Sequence, residues 1–173
     1  WQGLAPSALD QLPRCYTPKA MDKDDIRTTL DSWREATRRS MDAGYDICEI
    51  HGAHGYLIHQ FLSPVSNHRT DSYGGDLEGR MRFALEVAEV TREAWPDDKP
   101  LFFRVSSVDG EGGIWNLEDT VALSKALKER DIDLIDCSSG GISGDSDMPM
   151  VPRIVQFQAG FAERVRREAD ILT

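Results

Sequence analysis

The sequence predicts an α/β fold: an incomplete (β/α)₈ TIM barrel, in which residues 1–173 form one partial barrel domain. Three observations predict this class. Short apolar runs alternate with amphipathic helical segments, a pattern typical of parallel strands joined by crossover helices. The motif G-x-G-x-x-G follows none of the predicted strands, which disfavours an open nucleotide-binding sheet. Histidine, arginine and serine residues instead follow the ends of several strands, where barrel enzymes place their chemistry.

Four segments have the spacing of apolar residues that predicts helices. The first begins at Asp22 and ends before Gly44, and three more are predicted over residues 76–95, 117–130 and 158–169. The apolar positions of the first helix recur once per helical turn and predict a buried stripe. This stripe comprises Ile26, Leu30, Trp33, Thr37 and Met41.

Three short apolar runs, residues 45–50, 101–106 and 133–137, are predicted strands, and residues 170–173 are expected to begin another. Residues 1–20 are expected to be irregular because prolines interrupt any period. A complete barrel of this class typically needs about 250 residues. The chain is therefore expected to hold roughly strands four to six with their flanking helices, and the start of strand seven.

Charge and composition favour a small-molecule substrate over nucleic acid or a membrane as the partner. The formal net charge of −10 repels nucleic acid phosphates and anionic lipid surfaces. No apolar stretch approaches the ~18 residues of a membrane helix, and the N-terminus has no signal-peptide pattern. Cys15, Cys48 and Cys137 are odd in number and form no C-x-x-C motif. We therefore expect free thiols, no zinc site and a cytoplasmic location.

The strongest candidate site is the segment from His51 to Tyr56, directly after the first predicted strand. Gly52 and Gly55 let the backbone bend there and approach a ligand closely. The rings of His51, His54 and Tyr56 can donate hydrogen bonds, and the phenol carries an acidic proton. Such a group can hold a carbonyl oxygen and protonate a nearby carbon.

A metal-dependent lyase or hydrolase that uses His51 and His54 as ligands is the alternative chemistry for this segment. The sequence offers no obvious third ligand at helical spacing, so we predict no metal. His59 and His68 lie further along the chain, and we expect both to be structural or to face solvent.

Arg104 lies in the middle of the second predicted strand, between Phe103 and Val105. A barrel strand is buried on both faces, so a guanidinium there requires an anion or several acceptors. A carboxylate from a neighbouring strand, Glu49 or Asp136, is one candidate partner. A bound anionic cofactor is the other, and the residues alone leave both open.

Residues 51–76 are predicted to be a long loop, and its polar part, residues 66–75, is expected to be a scaffold that fixes the turn at His51–Tyr56. In that scaffold Arg69 and Asp71 can pair with each other and with the backbone.

Four segments together resemble the old yellow enzyme family across essentially the whole chain. They are residues 43–63, which include H-G-A-H-G-Y, residues 66–75 (S-N-H-R-T-D-S-Y-G-G), residues 80–83 (R-M-R-F) and residues 133–140 (D-L-I-D-C-S-S-G). The last segment is similar to the bacterial NADPH dehydrogenase or xenobiotic reductase branch. One departure is Gly79, where the family usually has Asn, and we expect it to loosen the start of the second helix.

The resemblance implies an FMN-dependent barrel that uses NAD(P)H to reduce activated C=C bonds of α,β-unsaturated carbonyl or nitro compounds in a ping-pong reaction. By position, His51 and His54 would bind the substrate oxygen or the nicotinamide amide. Tyr56 would be the catalytic proton donor to the α-carbon. Arg104 would bind the cofactor beside the pyrimidine edge of the flavin, which makes the flavin the anion that this arginine requires.

The same resemblance implies that the first three strands and the last two carry further flavin contacts. We therefore expect the 173-residue chain by itself to bind FMN weakly or not at all. It would require the rest of the barrel or another copy to be stable, and we expect a homo-oligomer in the full-length form. A non-catalytic remnant that acts as an interaction module is the alternative.

Overall fold

The computed structural model describes residues 2–9, 17–110, 114–142, 151 and 153–173. In chain order its elements are β1 (Leu4–Ala5), β2 (Lys19–Ala20), α1 (Lys23–Asp42), β3 (Cys48–Gly52), α2 (Leu57–Leu62), α3 (Leu77–Ala94), β4 (Leu101–Ser106), α4 (Leu117–Lys128), β5 (Leu134–Ser138) and α5 (Ala159–Ala169). The predicted α/β alternation with parallel strands is confirmed in this part of the chain.

The central sheet has the order β3-β4-β5, and each strand pairs in parallel with the next one along the chain. Helices connect the successive strands, because parallel neighbours require a crossover connection. Leu172 forms a parallel bridge with Leu134, and its carbonyl accepts a hydrogen bond from the Ile135 amide at 2.9 Å. This single bridge agrees with the prediction that residues 170–173 begin a further strand.

The two faces of this sheet differ in chemistry because side chains alternate along each strand. Ile50, Phe103 and Ile135 form one row across the strands and are buried among the helices. The next row, on the opposite face, consists of His51, Arg104 and Asp136. The sheet therefore places a histidine, a guanidinium and a carboxylate side by side on one surface.

Helix α1 begins with the predicted aspartate, because the Asp22 side chain accepts hydrogen bonds from the first-turn amides and forms a capping box with Asp25. Ile26 and Thr37 of the predicted stripe are buried, and Leu30 and Trp33 are half-buried against the core. The prediction of a buried stripe was wrong at Met41, which is exposed. That residue lines an open groove beside the end of α3.

The start of α3 is ordered around Gly79. The helix begins at Leu77, and the Asp76 side chain accepts a hydrogen bond from the Gly79 amide at 2.9 Å. A Cβ atom at residue 79 would lie 2.2 Å from the Gly74 carbonyl oxygen, so the glycine allows a close approach there. The expectation of a loosened helix start was therefore wrong.

A two-stranded ladder and a short helix lie where the sequence predicted irregular chain. β1 and β2 form a short parallel ladder within residues 1–20, with the Met21 amide donating to the Ala5 carbonyl at 2.9 Å. Helix α2 lies within the predicted loop 51–76, and it buries Ile58, His59, Phe61 and Leu62. Both elements are very short, so neither gives a clear period, and contacts with distant segments stabilise them. Within the described ranges, no helix is long and apolar enough to cross a membrane.

Candidate active site

The chain reverses direction at the end of β3, and we call residues 51–56, which begin with the last two residues of that strand, the His–Tyr turn. The strand was predicted over residues 45–50, and the structure places it at Cys48–Gly52. His54 has φ 60° and Gly55 has φ 77°, so two consecutive residues are left-handed before α2 begins. This reversal places the ring of His51 5.1 Å from that of His54 and 5.6 Å from that of Tyr56, measured between centroids. The structure thus brings together the three rings that the sequence singled out, which we call the ring cluster.

Solvent can reach the ring cluster. Tyr56 is 64% exposed and His51 is also exposed, whereas His54 is half-buried. The phenol and both imidazoles therefore have surface that is accessible in the described part of the chain.

The neighbouring strands hold His54 in place through two serines. Its amide donates to Ser106 Oγ at 3.0 Å, and that hydroxyl donates to the Gly140 carbonyl at 2.7 Å. His54 Nε2 lies 2.6 Å from Ser138 Oγ. The ends of β4 and β5 therefore fix both the backbone and one ring nitrogen of His54.

Burial and a nearby positive charge keep both imidazoles neutral. Desolvation lowers the pKa of His51 and of His54 below the usual 6.5, and the Arg104 guanidinium lowers it further. A neutral imidazole carries one N–H donor. At neutral pH each ring can thus donate a hydrogen bond without bringing a charge to the site.

Arg104 and Asp136 form an ion pair, with Nε and Oδ2 3.3 Å apart. Their geometry does not make a hydrogen bond, and Arg104 Nε is a buried atom without a hydrogen-bond partner in the described part of the chain. Desolvation raises the pKa of Glu49, and repulsion from Asp136 adds to this effect. Asp136 is therefore the carboxylate partner of this arginine, and its guanidinium retains capacity to bind a further acceptor.

One residue on this face, Arg104, has the charge and the exposure that would suit an FMN molecule. The Arg104 side chain is 38% exposed on the same sheet face as His51, so it can contact a ligand there. Its incompletely paired guanidinium suits an electron-rich ring edge that gains negative charge when reduced. Arg104 is thus the residue of this chain that could hold the flavin.

The two glycines of the His–Tyr turn pack against protein, which corrects the expectation that they admit a ligand. A Cβ atom at Gly52 would lie 2.4 Å from the Phe103 ring. One at Gly55 would lie 2.2 Å from the Gly141 carbonyl oxygen. These glycines therefore let the turn lie directly on β4 and on the segment after β5.

His59 and Asp109 lie behind the turn and are fully enclosed. His59 Nδ1 accepts from the Gly55 amide at 2.9 Å, and its Nε2 lies 2.8 Å from Asp109 Oδ1. The prediction of a structural role for His59 is confirmed, and His68 is exposed as predicted. Sequence reasoning did not single out Asp109, since its only signal was an acidic residue just past a strand end.

The polar loop at residues 66–75 was predicted to fix the His–Tyr turn, but its hydrogen bonds hold α2 and the N-terminal segment instead. Asn67 donates to the Phe61 and Tyr73 carbonyls at 2.7 and 2.8 Å. Arg69 pairs with Asp71 and also donates to the carbonyls of residues 6 and 21.

The cysteines are not part of the site. Cys48 and Cys137 are free thiols, and burial raises the pKa of both, to about 11 for Cys137. Cys15 lies outside the described residues.

In the segments that the structure describes, no group of three or more His, Cys, Asp or Glu side chains is arranged to hold a metal ion. A groove of about 570 Å³ near Trp95 lies at the opposite end of the strands from the ring cluster, so it is separate from this site.

Residues 3–167 match the family model of the NADH:flavin oxidoreductase / NADH oxidase family, and the chain belongs to this family. Its members are FMN-dependent, and a nicotinamide nucleotide is the second cofactor. The chain is 46% identical over 171 residues to an NADPH dehydrogenase of Geobacillus sp. (strain WCH70), and 43% identical over 170 residues to one of Bacillus subtilis (strain 168). Each alignment covers 98% of this chain and 48% of the relative, so the chain spans about half the length of these relatives.

Solved structures agree with this assignment. The old yellow enzyme homologue from Zymomonas mobilis superimposes with a TM-score of 0.75 at 28% identity, covering 97% of this chain and 48% of that one. Morphinone reductase gives a TM-score of 0.78 at 26% identity, with 99% and 48% covered. The resemblance to old yellow enzymes is thereby confirmed, and these neighbours are TIM barrels.

Proposed function

We propose that this chain forms the substrate-binding side of an FMN-dependent NAD(P)H oxidoreductase that reduces activated C=C bonds of α,β-unsaturated carbonyl or nitro compounds. One observation carries the proposal. The ring cluster at the end of β3 stands beside Arg104 on one sheet face, with His51 and Arg104 paired in register. Two neutral donors and a phenol therefore adjoin a guanidinium suited to a flavin edge.

His51 and His54 bind the oxygen of the substrate in this proposal. Their lowered pKa keeps them neutral, so each donates one hydrogen bond to a carbonyl or nitro oxygen. Such donors stabilise the negative charge that develops on that oxygen during reduction. The same pair would hold the nicotinamide amide, since a relative, morphinone reductase, is known in complex with tetrahydroNAD.

Tyr56 supplies the proton to the α-carbon. Its ring is 5.6 Å from that of His51 and mostly exposed, so its hydroxyl can reach a molecule held by the histidines. A positioned general acid contributes about 10²–10⁴-fold to a rate.

Arg104 would hold the flavin in this proposal. Bound FMN would supply the hydride transfer. The positive charge of the guanidinium favours the reduced, more negative form of that ring. Asp136, 3.3 Å away, offsets part of this charge and orients the guanidinium.

We also propose that the enzyme works in the cytoplasm on a small-molecule substrate. Free thiols at Cys48 and Cys137 suit a reducing cytoplasm, and the net charge of −10 suits a small-molecule substrate. We propose that the full-length form is a homo-oligomer, which its mass by light scattering would test.

The function is tested with the FMN-loaded protein that carries this chain. Anaerobic NADPH should bleach the flavin absorbance, and 2-cyclohexenone should restore it. Tyr56→Phe should slow only the second step, by at least tenfold. The control is Tyr45→Phe, which removes an exposed hydroxyl just before the start of β3, and both of its rates should stay unchanged. A folded, flavin-loaded protein that NADPH does not bleach would overturn the proposal.

A further inference from the structure

We infer that His59 and Asp109 are positioning residues for the ring cluster, because they hold the Gly55 amide from behind the His–Tyr turn. The inference rests on the proposed function and extends it to two residues that touch neither substrate nor flavin. Gly55 lies between His54 and Tyr56, and its amide donates to His59 Nδ1 at 2.9 Å. The hydrogen bond therefore acts on the backbone that joins two rings of the cluster.

The hydrogen-bond pattern fixes the protonation of His59. A backbone amide can only donate, so Nδ1 carries no proton and Nε2 must carry it. That Nε2–H donates to Asp109 Oδ1 at 2.8 Å. The imidazole is thus neutral and joins the turn to the Asp109 carboxylate.

Asp109 is itself anchored. Its second oxygen accepts from Ser63 Oγ at 2.7 Å and from the Trp115 amide at 3.2 Å. The side chains of His59 and Asp109 are both 0% exposed. An enclosed and fully paired polar chain holds a single geometry, because any other arrangement leaves a buried group unpaired.

The turn requires such an anchor. His54 adopts φ 60°, and a left-handed backbone at a residue other than glycine persists only where surrounding contacts hold it. Ser106 holds the His54 amide on one side of this residue, and His59 holds the Gly55 amide on the other. Removing the second contact should let the turn relax, and the three rings would then lose their common orientation.

The first readout concerns ligand binding by the FMN-loaded protein. His59→Ala should raise the Kd for tetrahydroNADPH, an analogue that cannot transfer hydride, by about fivefold to tenfold. His59→Asn keeps an acceptor near the Gly55 amide and should restore most of the affinity. If His59→Ala fails to fold, Asp109→Asn, which removes the charge and keeps the shape, should raise the Kd in the same direction.

The control is Asn67→Ala, which removes a buried side chain that binds the Phe61 and Tyr73 carbonyls and not the turn. It should lower Tm as His59→Ala does and leave the Kd unchanged. Equal Kd values for both variants and the wild type, or equal losses of affinity in both, would overturn the inference.

A second readout does not depend on flavin chemistry. Hydrogen–deuterium exchange of residues 53–57 should speed up in His59→Ala and not in Asn67→Ala. Unchanged exchange there overturns the positioning role even if the enzyme is active. A wild-type protein that NADPH does not bleach overturns the proposed function instead, so the two failures are distinguishable.

Discussion

The two imidazoles of the ring cluster are neutral at neutral pH because their surroundings disfavour the imidazolium. Arg104 is the shared cause after desolvation, since its charge lowers the pKa of both His51 and His54. In the proposed site a single guanidinium therefore has two roles: it helps to keep both imidazoles neutral, and it would contact the flavin. This dual role gives two predictions.

The first prediction concerns stability and pH. The unfolded chain binds protons on both histidines near pH 6.5, whereas the folded chain binds them only at lower pH. The free energy of unfolding should therefore fall as the pH drops from 7.5 to 5.5. Urea unfolding of the double variant His51→Gln/His54→Gln should show a shallower fall. His68→Gln, at an exposed position, should match the wild type, and an equal slope in all three proteins would contradict the explanation.

The second prediction concerns the flavin. Arg104→Gln should lower the reduction potential of bound FMN by about 30–60 mV, because it removes a favourable charge. Asp136→Asn should shift the potential the other way, since it frees the guanidinium from its 3.3 Å partner. Potentials are measured by anaerobic titration against a reference dye. Two shifts of the same sign would argue against this assignment of Arg104.

Single residues also show what the sequence reveals of a site. His51, His54 and Tyr56 could be selected because they stand at or just past a strand end. Arg104 could be selected because a guanidinium is unusual in the middle of a buried strand. Asp109 could not be selected, because it lies 50 residues from His59 and their contact depends on the packing of two loops.

At the scale of elements, the connection between β3 and α2 depends on a close backbone approach. Gly55 and Gly75 have the same φ of 77°, but only a Cβ atom at Gly55 would meet another atom, the Gly141 carbonyl oxygen at 2.2 Å. Gly75→Ala should therefore cost about 1 kcal/mol for conformation alone. Gly55→Ala should cost roughly 2–4 kcal/mol, because it also forces the backbones apart. Equal losses of unfolding free energy for the two variants in chemical denaturation would mean that the close contact between Gly55 and Gly141 does not contribute to stability.

Arg92 closes the C-terminal end of α3. Its guanidinium donates to the carbonyls of Trp95, Pro96 and Lys99 at 3.1, 2.5 and 3.2 Å, and thereby shapes the turn that leads into β4. Arg92→Ala should destabilise the fold by about 2–4 kcal/mol, because it leaves partly buried carbonyls unpaired. Arg27→Ala, which removes an exposed ion pair with Asp24, should cost at most about 0.5 kcal/mol. Similar losses of unfolding free energy for Arg92→Ala and Arg27→Ala in urea would contradict this prediction.

Long elements were predictable and short ones were not. Helices α1, α3 and α4 and strands β3 to β5 lie where periodicity and apolar runs indicated. The six residues of α2 form fewer than two turns, so burial of Phe61 and Leu62 stabilises them more than their local propensity does. The exposed Met41 shows a similar limit of sequence-based prediction. Apolar periodicity predicts which face of a helix is buried, but it does not predict where the elements that cover this face end.

At the scale of the whole molecule, the chain corresponds to about half of its relatives and presents one polar sheet face. We therefore expect the 173-residue chain alone to bind FMN at least about 100-fold more weakly than the full-length protein, measured by quenching of FMN fluorescence. Tight FMN binding, or turnover of 2-cyclohexenone, by the chain alone would contradict this expectation.

The row of His51, Arg104 and Asp136 exists only because three strands are in phase with one another. If β4 slid by one position, its guanidinium would turn towards the helices and Phe103 or Val105 would take its place. The Leu101 amide, which donates to Asp133 Oδ2 at 2.8 Å, opposes such a slip at the start of the strand. Insertions or deletions just before β4 that shift this register should therefore abolish flavin reduction and also lower the free energy of unfolding, because they turn a guanidinium into the core and Phe103 out of it. Substitutions that keep the length there should be tolerated.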